Sequence, residues 1–215
     1  MKKVVADQWK MSLIEWIRHT NKEVLPITWM GTKLYKNPLD LWVMQEIIYE
    51  TKPDFLVEIG TALGGSALYY AYLFDIIGQG IVVAIDTHKE NFRVKHNRIH
   101  FLEGDSGCKE IIDEVHRICK GKITIINHDA DHRKAAVLRD LNAYCDLVSL
   151  GSYLIVEDGF VDVFNNHWPA ENDWDGPLSA IEEFLKDHPE FNINKHWQKF
   201  IATYNPCGYL ERKSQ

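Results

Sequence analysis

The sequence lacks the long apolar runs that membrane segments and signal peptides need. A membrane-spanning helix takes roughly 20 consecutive apolar residues, and no stretch of this chain approaches that length. The N-terminus has basic residues but no long apolar run and no small-residue cleavage site, so we predict no signal peptide. The four cysteines are scattered and include no CxxC pair. These absences favour free thiols in a reducing compartment, and we expect a cytoplasmic protein without a membrane span.

Positive charge is also scarce. The chain has 24 Lys and Arg residues against 31 Asp and Glu residues, which gives a formal net charge of −7. A protein that binds nucleic acid usually clusters basic side chains to neutralise phosphates, and no such cluster is visible in this sequence. The composition therefore favours a small molecule or a sugar as the substrate and argues against DNA or RNA.

Internal repeats, low-complexity tracts and linkers rich in Pro, Gly or Ser are absent as well. A chain of 215 residues with 46% hydrophobic residues suits one compact unit. We predict a helical N-terminal extension over residues 1–50 and a single domain over residues 51–215. A helix over about residues 5–20 would place four apolar side chains on one face, namely Trp9, Leu13, Trp16 and Ile17. A second helix is predicted to begin at Asn37-Pro38, because Asn is a good N-cap and Pro suits the first helical position.

Short apolar runs alternate with helical segments after Pro53. The predicted strands are 55–59, 81–85, 99–102, 123–127 and 152–156, followed by 191–194 and 200–204. The predicted helices are 66–77, 109–119, 133–147 and one after Gly176-Pro177. This alternation indicates a Rossmann-like α/β fold with a mostly parallel, seven-stranded sheet covered on both faces. The last two strands have no helix between them, so we expect an antiparallel C-terminal edge hairpin, as in class I methyltransferases.

A loop that contains glycine follows the first strand of this sheet. Ligands of such sheets bind beyond the carboxyl ends of the strands, and glycine lets the backbone approach a ligand closely. The loop residues that we assign to cofactor binding are Gly60, Thr61, Gly64, Gly65 and Ser66. Their spacing differs from the GxGxxG pattern, and this looser loop suits S-adenosylmethionine, which has no pyrophosphate to bind. Glu58, just before the loop, is placed to face the positively charged methionine end of that cofactor.

The next two strands end in groups that suit an adenosine. A carboxylate at Asp86 can accept hydrogen bonds from both ribose hydroxyl groups, as in NAD-binding folds. After the third strand, Asp105 or Ser106 could contact the edge of the adenine, although a helix N-cap explains either residue as well. A tight turn with no ligand is the competing interpretation of the glycine loop, but the acidic strand ends favour a cofactor.

Acidic residues follow the fourth and fifth strands. If these strands are neighbours, Asp129, Glu157 and Asp158 meet beside the cofactor loop and form an all-oxygen site for a hard divalent ion such as Mg²⁺. Such an ion could lower the pKa of a substrate hydroxyl group, and His132 could accept the proton. Without a cation or a proton, the three carboxylates would repel one another. We interpret Asp131 as a helix cap, and a solvated first-turn histidine is the alternative for His132.

A long polar and aromatic segment, residues 160–175, follows the fifth strand. Its ring side chains are Phe160, Phe164, His167, Trp168 and Trp174. Loops of this length in compact domains are usually lids or binding loops, so we predict a cover over a sugar or another ring-shaped substrate. An ordinary surface loop with partly buried aromatic residues is the alternative.

Seven segments, in this order, resemble the cephalosporin hydroxylase-like family, which includes rhamnosyl O-methyltransferases. The matching segments are 28–31, 37–42, 58–61, 64–68, 129–132, 151–158 and 205–210. The resemblance runs from about Thr28 to the C-terminus and implies a class I methyltransferase fold with S-adenosylmethionine bound on residues 60–66. Residues 1–27 and 160–175 do not follow the family pattern, so the resemblance leaves the substrate open.

The resemblance also implies site residues and partners. In this family the metal ligands fall on Asp129, Glu157 and Asp158, and related sugar methyltransferases have a histidine base at the position of His132. Such enzymes commonly form homo-oligomers and act in carbohydrate or natural-product biosynthesis. We therefore expect a metal-assisted O-methyltransferase that acts on a hydroxyl group of a sugar or small natural product. The alternatives are an NAD-dependent oxidoreductase, which the missing GxGxxG disfavours, and a non-catalytic S-adenosylmethionine-binding partner of a biosynthetic enzyme, which would not need the acidic cluster.

Overall fold

A seven-stranded sheet forms the centre of the molecule. The computed structural model describes residues 9–163 and 175–213. In chain order, the strands of the sheet are β3 (Phe55–Ile59), β4 (Ile81–Asp86), β5 (Ile99–Glu103), β6 (Thr124–His128), β7 (Tyr153–Val156), β8 (Phe191–Ile193) and β9 (Tyr209–Arg212). A separate antiparallel hairpin of β1 (Ile27–Trp29) and β2 (Thr32–Leu34) precedes them.

The order of the strands determines where a ligand can bind. Across the sheet the order is β5-β4-β3-β6-β7-β9-β8. Strands β3 to β7 run parallel, whereas β9 lies antiparallel to both β7 and β8. The chain leaves β3 in one direction through β4 and β5 and returns to the other side of β3 as β6, so the topological switch point lies between β3 and β6. The predicted fold class, including the antiparallel C-terminal edge, is confirmed.

Helices cover both faces of the sheet. They are α1 (Leu13–His19), α2 (Pro38–Thr51), α3 (Gly65–Ile77), α4 (Lys109–Cys119), α5 (Lys134–Tyr144), α6 (Phe160–Val163) and α7 (Pro177–Asp187). Helix α2 begins as predicted, because Pro38 takes the first position and Asn37 Oδ1 accepts a hydrogen bond from Leu39 N at 3.0 Å. Within residues 9–163 and 175–213, every helix is too short or too polar to cross a bilayer.

Two apolar layers enclose the sheet. Residues from α2 and α3, such as Ile47 and Phe74, pack on one face, and residues from α5 and α7, such as Leu141, pack on the other. Leu56 and Val57 are adjacent in β3 and both fully buried, yet they belong to opposite layers, because successive strand residues point to opposite faces. Complete burial of such a side chain contributes roughly 1.5–3 kcal/mol, which explains the nearly continuous apolar composition of the parallel strands.

The second late strand was predicted at the wrong place. Residues 200–204 form a loop, and the strand that pairs with β8 is β9. Ile201 has a left-handed φ of 64°, which a β-branched residue in a strand does not adopt. Tyr204 N donates to Asp40 Oδ2 at 2.8 Å, so its N–H is not free to join a strand ladder. A buried side chain on another element thus overrides the local apolar pattern.

The N-terminal part also differs from its prediction. Helix α1 begins only at Leu13, because Ser12 and Glu15 form a capping box there, and a π-helical turn (Thr20–Val24) follows it. Of the four residues predicted to share an apolar face, Ile17 is buried, whereas Trp9 lies in a turn and is 84% exposed. That predicted face is therefore wrong, and residues 1–8 lie outside the described residues.

The hairpin of β1 and β2 was not predicted. Its two-residue loop, Met30-Gly31, has φ values of 48° and 82°, and two left-handed residues are typical of a tight hairpin turn. Methionine rarely marks such a turn, so the sequence signal is weak. In the predicted substrate cover, Phe160 is buried in α6, while Phe164, His167, Trp168 and Trp174 lie outside the described residues.

Candidate active site

The glycine loop lies where the ends of β3 and β6 meet. Gly60 has a φ of 84°, and a Cβ atom at this position would lie 2.1 Å from the carbonyl oxygen of Asp129. A Cβ atom at Gly65 would lie 2.2 Å from the carbonyl oxygen of Lys33 in β2. Both positions therefore require glycine for packing, Gly60 because two strand ends touch and Gly65 because the hairpin packs on the start of α3.

Buried polar side chains hold this loop in place. Asp86 Oδ2 accepts hydrogen bonds from Thr61 N at 3.1 Å and Ala62 N at 2.8 Å. Glu58 is fully buried, and its Oε2 accepts a hydrogen bond from Thr61 Oγ1 at 2.8 Å. Glu58 Oε1 is buried without a hydrogen-bond partner. Because an unsatisfied buried carboxylate oxygen is costly, this atom suits a cationic neighbour.

An open cleft of about 730 Å³ runs along the same rim. Its lining includes Gly60, Asp86, Asp105, Ser106 and Asp129. The volume lies within the range of roughly 300–1,000 Å³ that small-molecule and cofactor sites occupy. Of the predicted cofactor residues, Gly60, Asp86, Asp105 and Ser106 line this cavity, whereas Thr61, Gly65 and Ser66 line a separate, smaller pocket. The larger cavity also reaches Asp129, the first acidic residue after β6.

The far end of this cleft contains an arginine that the sequence did not mark. Arg139 Nη2 donates to Asp105 Oδ1 at 3.1 Å, and Ser106 Oγ donates to the buried carboxylate of Asp140 at 2.7 Å. The N-cap of α4 is Cys108, so neither Asp105 nor Ser106 caps that helix. Arg139 comes to this site through tertiary packing. Its guanidinium group packs against Gly107, where a Cβ atom would lie 2.3 Å from it.

The acidic residues after β6 and β7 meet around a buried lysine. Lys36 is 4% exposed, and its Nζ lies 2.6 Å from Asp129 Oδ2 and 2.5 Å from Glu157 Oε1. Glu58 Oε1 lies 3.7 Å from the same nitrogen. Asn127 Nδ2 donates a second hydrogen bond to Glu157 Oε1 at 2.6 Å. The predicted cluster therefore forms, but sequence reasoning missed the cation at its centre.

Asp158 lies close to Asp129 and His132. One ligand atom each from Asp129, His132 and Asp158 lie within 4.8 Å of one another, and in the described part of the chain these three form the group that could hold a metal ion. His132 Nε2 lies 3.3 Å from Asp158 Oδ2. Glu157 lies beside this group and is bound to Lys36. The predicted ligands Asp129 and Asp158 thus converge with His132.

The backbone of Asp158 is itself unusual. Its φ is 59°, in the left-handed region that non-glycine residues adopt at a cost of about 1–3 kcal/mol. Asn205, which is 1% exposed, accepts a hydrogen bond from Asp158 N through Oδ1 at 3.1 Å. The loop before β9 therefore fixes the direction of a candidate metal ligand.

Burial and like charges shift the pKa values of the cluster. Burial raises the pKa of Asp158 well above its usual value, and the charges of Asp129 and Glu157 raise it further. Burial also raises the pKa values of Glu157 and Glu58, against the opposing effect of Lys36. For Lys36 burial acts to lower the pKa, but the surrounding carboxylates outweigh it and the pKa lies well above its usual value. The cluster therefore favours a further positive charge.

Two neighbouring residues have structural partners. Asp131 Oδ1 accepts hydrogen bonds from the backbone N and Nε of Arg133. Because Arg133 is the N-cap of α5, the predicted helix cap at Asp131 is wrong. His128 is 1% exposed and its Nε2 lies 3.2 Å from Asp140 Oδ2.

Burial lowers the pKa of His132, so this imidazole is neutral near pH 7.

The fold and the site define a class I methyltransferase. A family model described as Rhamnosyl O-methyltransferase/CmcI matches residues 21–213. The rhamnosyl O-methyltransferase of Mycobacterium leprae (strain TN) is 34% identical over 195 residues, which cover 86% of this chain and 83% of the relative. That of Mycobacterium bovis (strain BCG / Pasteur 1173P2) is 34% identical over 196 residues, which cover 86% and 78%. The chain belongs to the rhamnosyl O-methyltransferase/CmcI family, and the predicted family and enzyme class are confirmed.

Solved structures share the fold at lower sequence identity. A structure of CmcI with Mg and SAM aligns with a TM-score of 0.71 and 19% identity over 90% of this chain and 79% of that one. The mycinamycin-pathway methyltransferase MycE, in complex with Mg, SAH and mycinamycin VI, aligns with a TM-score of 0.52 and 19% identity over 69% of this chain and 40% of that one. At these identities the likeness supports the fold.

Proposed function

We propose that the chain transfers the methyl group of S-adenosylmethionine to a hydroxyl oxygen of a sugar or small natural product, with help from a divalent ion. The observation that carries this proposal is the position of the acidic cluster, which lies at the end of the cofactor cleft where β3 and β6 meet. The family and the names of the curated relatives support a rhamnosyl or similar sugar substrate.

The cofactor fits the cleft by charge and shape. In this proposal, the loop from Gly60 to Ser66 carries the methionine end. Glu58 Oε1, which has no hydrogen bond but lies 3.7 Å from Lys36 Nζ, faces its positive charge. Asp86 accepts hydrogen bonds from the ribose, and Asp105 or Ser106 contacts the adenine, because these residues line the same cavity. Solved neighbours that contain SAM or SAH support this choice of cofactor.

The acidic cluster fits a hard divalent ion such as Mg²⁺. Its donors are carboxylate oxygens, which Mg²⁺ prefers. Burial raises the pKa values of Glu157 and Asp158, and the neighbouring carboxylates raise them further. Asp129, Glu157 and Asp158 are the proposed ligands. When bound, such an ion supplies Lewis-acid polarisation of a hydroxyl group. Neighbours crystallised with Mg support its presence.

His132 is the proposed proton acceptor. It is neutral near pH 7 because burial lowers its pKa, and its Nε2 lies among the carboxylates at the end of the cleft. In the reaction, the hydroxyl oxygen attacks the methyl carbon in line with the carbon–sulfur bond, which breaks as S-adenosylhomocysteine leaves. The hydroxyl proton passes to His132, and positioning supplies much of the rate enhancement.

A thermal-shift series tests the cofactor. The ligands are S-adenosylmethionine, S-adenosylhomocysteine and NAD, each with Mg²⁺ or with chelator. A ligand at about 100 times its dissociation constant adds roughly 2.7 kcal/mol, which should raise Tm by about 5–10 °C. We expect shifts with both adenosyl ligands and a further rise with Mg²⁺. A shift with NAD alone would support the oxidoreductase alternative, and binding without any turnover would support the non-catalytic one.

The remaining partner assignments are also proposals. We propose a homo-oligomer, a cytoplasmic location and no nucleic-acid partner, on the basis of the resemblance, the scattered cysteines and the net charge of −7. The division at residues 50 and 51 is likewise a proposal, and the packing of β2 on Gly65 shows that the two parts are in contact.

A further inference from the structure

Lys36 enters the acidic cluster from outside the sheet. It lies between the end of β2 and the start of α2, 93 residues from Asp129 and 121 residues from Glu157 in the sequence. Its side chain nevertheless ends between these two carboxylates and is 4% exposed. A small cavity of about 50 Å³ between Lys36, Thr61 and Asp129 adjoins it. The N-terminal part of the chain therefore contributes a charged group to the site.

The charges around Lys36 do not balance. Three carboxylates, from Glu58, Asp129 and Glu157, lie within 3.7 Å of one ammonium group, and a fourth, Asp158, lies close to Asp129. An ammonium group buried among carboxylates is held strongly, because the interaction is weakly screened away from water. The same low screening means that the remaining negative charge attracts a second cation.

Lys36 contacts the oxygen atoms that a divalent ion would also use. Its Nζ lies within hydrogen-bond distance of Asp129 Oδ2 and Glu157 Oε1. Asp129 is shared, because it also belongs to the group with His132 and Asp158. An ammonium group and a divalent ion bound to one carboxylate repel each other, so the two cations are coupled through Asp129.

We propose that Lys36 is a tethered cation that competes with the divalent ion for Asp129 and Glu157 and thereby weakens metal binding. It neutralises these carboxylates before an ion arrives, and ion binding displaces its ammonium group from at least one of them. Lys36 is a positioning residue in this scheme, since it acts through the ligands. The inference rests on the metal-assisted part of the proposed function.

The test compares Mn²⁺ binding by the wild type, Lys36→Met and Lys33→Met, in the absence of cofactor. Methionine keeps the length of the side chain and removes its charge. Lys33, an exposed lysine in the adjacent strand β2, serves as the matched control. Binding is measured by the loss of the free Mn²⁺ signal in electron paramagnetic resonance. We expect Lys36→Met to bind Mn²⁺ about tenfold or more tightly than the wild type, and Lys33→Met to match the wild type.

Melting curves supply a second readout. In chelator, Lys36→Met should melt at a lower temperature than the wild type, because the carboxylates lose their partner, and Mn²⁺ should raise its Tm by more. If Lys36→Met does not fold, the double variant Lys36→Met/Glu157→Gln removes one charge of each sign. We expect this double variant to fold and to bind Mn²⁺ more tightly than Glu157→Gln alone, because Lys36 then no longer competes for Asp129.

Weaker or unchanged Mn²⁺ binding by Lys36→Met would overturn the competition and would show that Lys36 supports the ligands instead. Mn²⁺ binding by the double variant that is no tighter than binding by Glu157→Gln alone would overturn it too. A wild type that binds S-adenosylmethionine but no Mn²⁺ would instead remove the metal-assisted part of the proposed function, and the competition with it, while the cofactor assignment would remain.

Discussion

The two halves of the site differ in how they are built. On the side of β3, β4 and β5, backbone geometry shapes the cleft: Gly60 permits the contact between strand ends, and Asp86 fixes the loop through two backbone N–H groups. On the side of β6 and β7, side-chain charge dominates, because buried carboxylates crowd around Lys36. The cofactor half should therefore tolerate loss of a charge better than loss of space, and the acidic half should show the reverse.

The largest expected effect separates the two halves. Asp129→Ala removes the carboxylate that Lys36 and the group with His132 share. We expect turnover to fall by on the order of 10³-fold or more, because several kcal/mol of transition-state stabilisation depend on this site. Affinity for S-adenosylmethionine, measured by calorimetry, should stay within about threefold of the wild type. Equal loss of turnover and affinity would mean that the acidic half is structural.

The next effect concerns the proton acceptor. His132→Gln keeps a polar side chain of similar size but removes the basic nitrogen. We expect kcat to fall by roughly 10²–10⁴-fold, the usual contribution of a positioned base, with S-adenosylmethionine affinity unchanged. Steady-state kinetics with a methylatable sugar measures this. If the variant retains kcat, His132 is a bystander and the proton leaves by another route.

Adding a side chain at a tightly packed glycine of the cofactor half gives a smaller effect, mainly on the free energy of unfolding. Gly60→Ala and Gly78→Ala are a matched pair, since both residues have a left-handed φ, of 84° and 87°, but only Gly60 has atoms near its added Cβ. We expect both to lose about 1 kcal/mol from the backbone, and Gly60→Ala to lose a further 1–3 kcal/mol or so from overpacking. Denaturant unfolding measures the difference.

Gly60→Ala should also weaken S-adenosylmethionine binding, whereas Gly78→Ala should not, because Gly78 ends α3 far along the chain from the loop. Equal stability and equal affinity in the two variants would show that the contact between the ends of β3 and β6 does not shape the cleft.

The smallest effect concerns Asp40, a buried carboxylate that binds Tyr204 N in the loop before β9. Burial raises the pKa of Asp40 from 3.8 to about 6, so the folded state holds this proton more tightly than the unfolded chain. The resulting stability is fully present below pH 3.8 and is lost as the pH rises through 6. Asp40→Asn cannot titrate. The free energy of unfolding of the wild type, relative to this variant, should therefore fall by about 2–3 kcal/mol between about pH 4 and 7.

Denaturant unfolding of both proteins across this pH range supplies the values. A difference that rises with pH, or one that stays constant, would mean that Asp40 is not a buried acid with a raised pKa.

The sequence predicted the half that depends on local pattern. Strand β3 has the predicted bounds, and β4 to β7 differ by a residue or so, because a parallel buried strand is a continuous apolar run. The acidic residues after β6 and β7 came together as predicted, since parallel strands of one sheet end at the same edge. Four of the predicted cofactor residues, namely Gly60, Asp86, Asp105 and Ser106, line one cavity for the same reason.

Long-range side-chain contacts account for what the sequence did not reveal. Lys36 lies in a short polar segment before α2, and nothing in its neighbours marks a contact 121 residues away. The bond of Tyr204 N to Asp40 prevents a strand where the pattern favoured one. The direction of Asp158 depends on Asn205, which is 47 residues distant. Such contacts follow from the assembled fold, so the assignment of each site residue to a role stays a prediction.

Methyl transfer to a sugar hydroxyl group tests the central claim most directly. Purified protein is incubated with S-adenosylmethionine and a panel of rhamnosides, with Mg²⁺ or with chelator, and the products are identified by mass spectrometry and nuclear magnetic resonance. The account predicts a sugar that gains one methyl group on oxygen, formation of S-adenosylhomocysteine in equal amount, and loss of both products in chelator. Methylation on nitrogen or carbon, or product formation that chelator leaves unchanged, would contradict it.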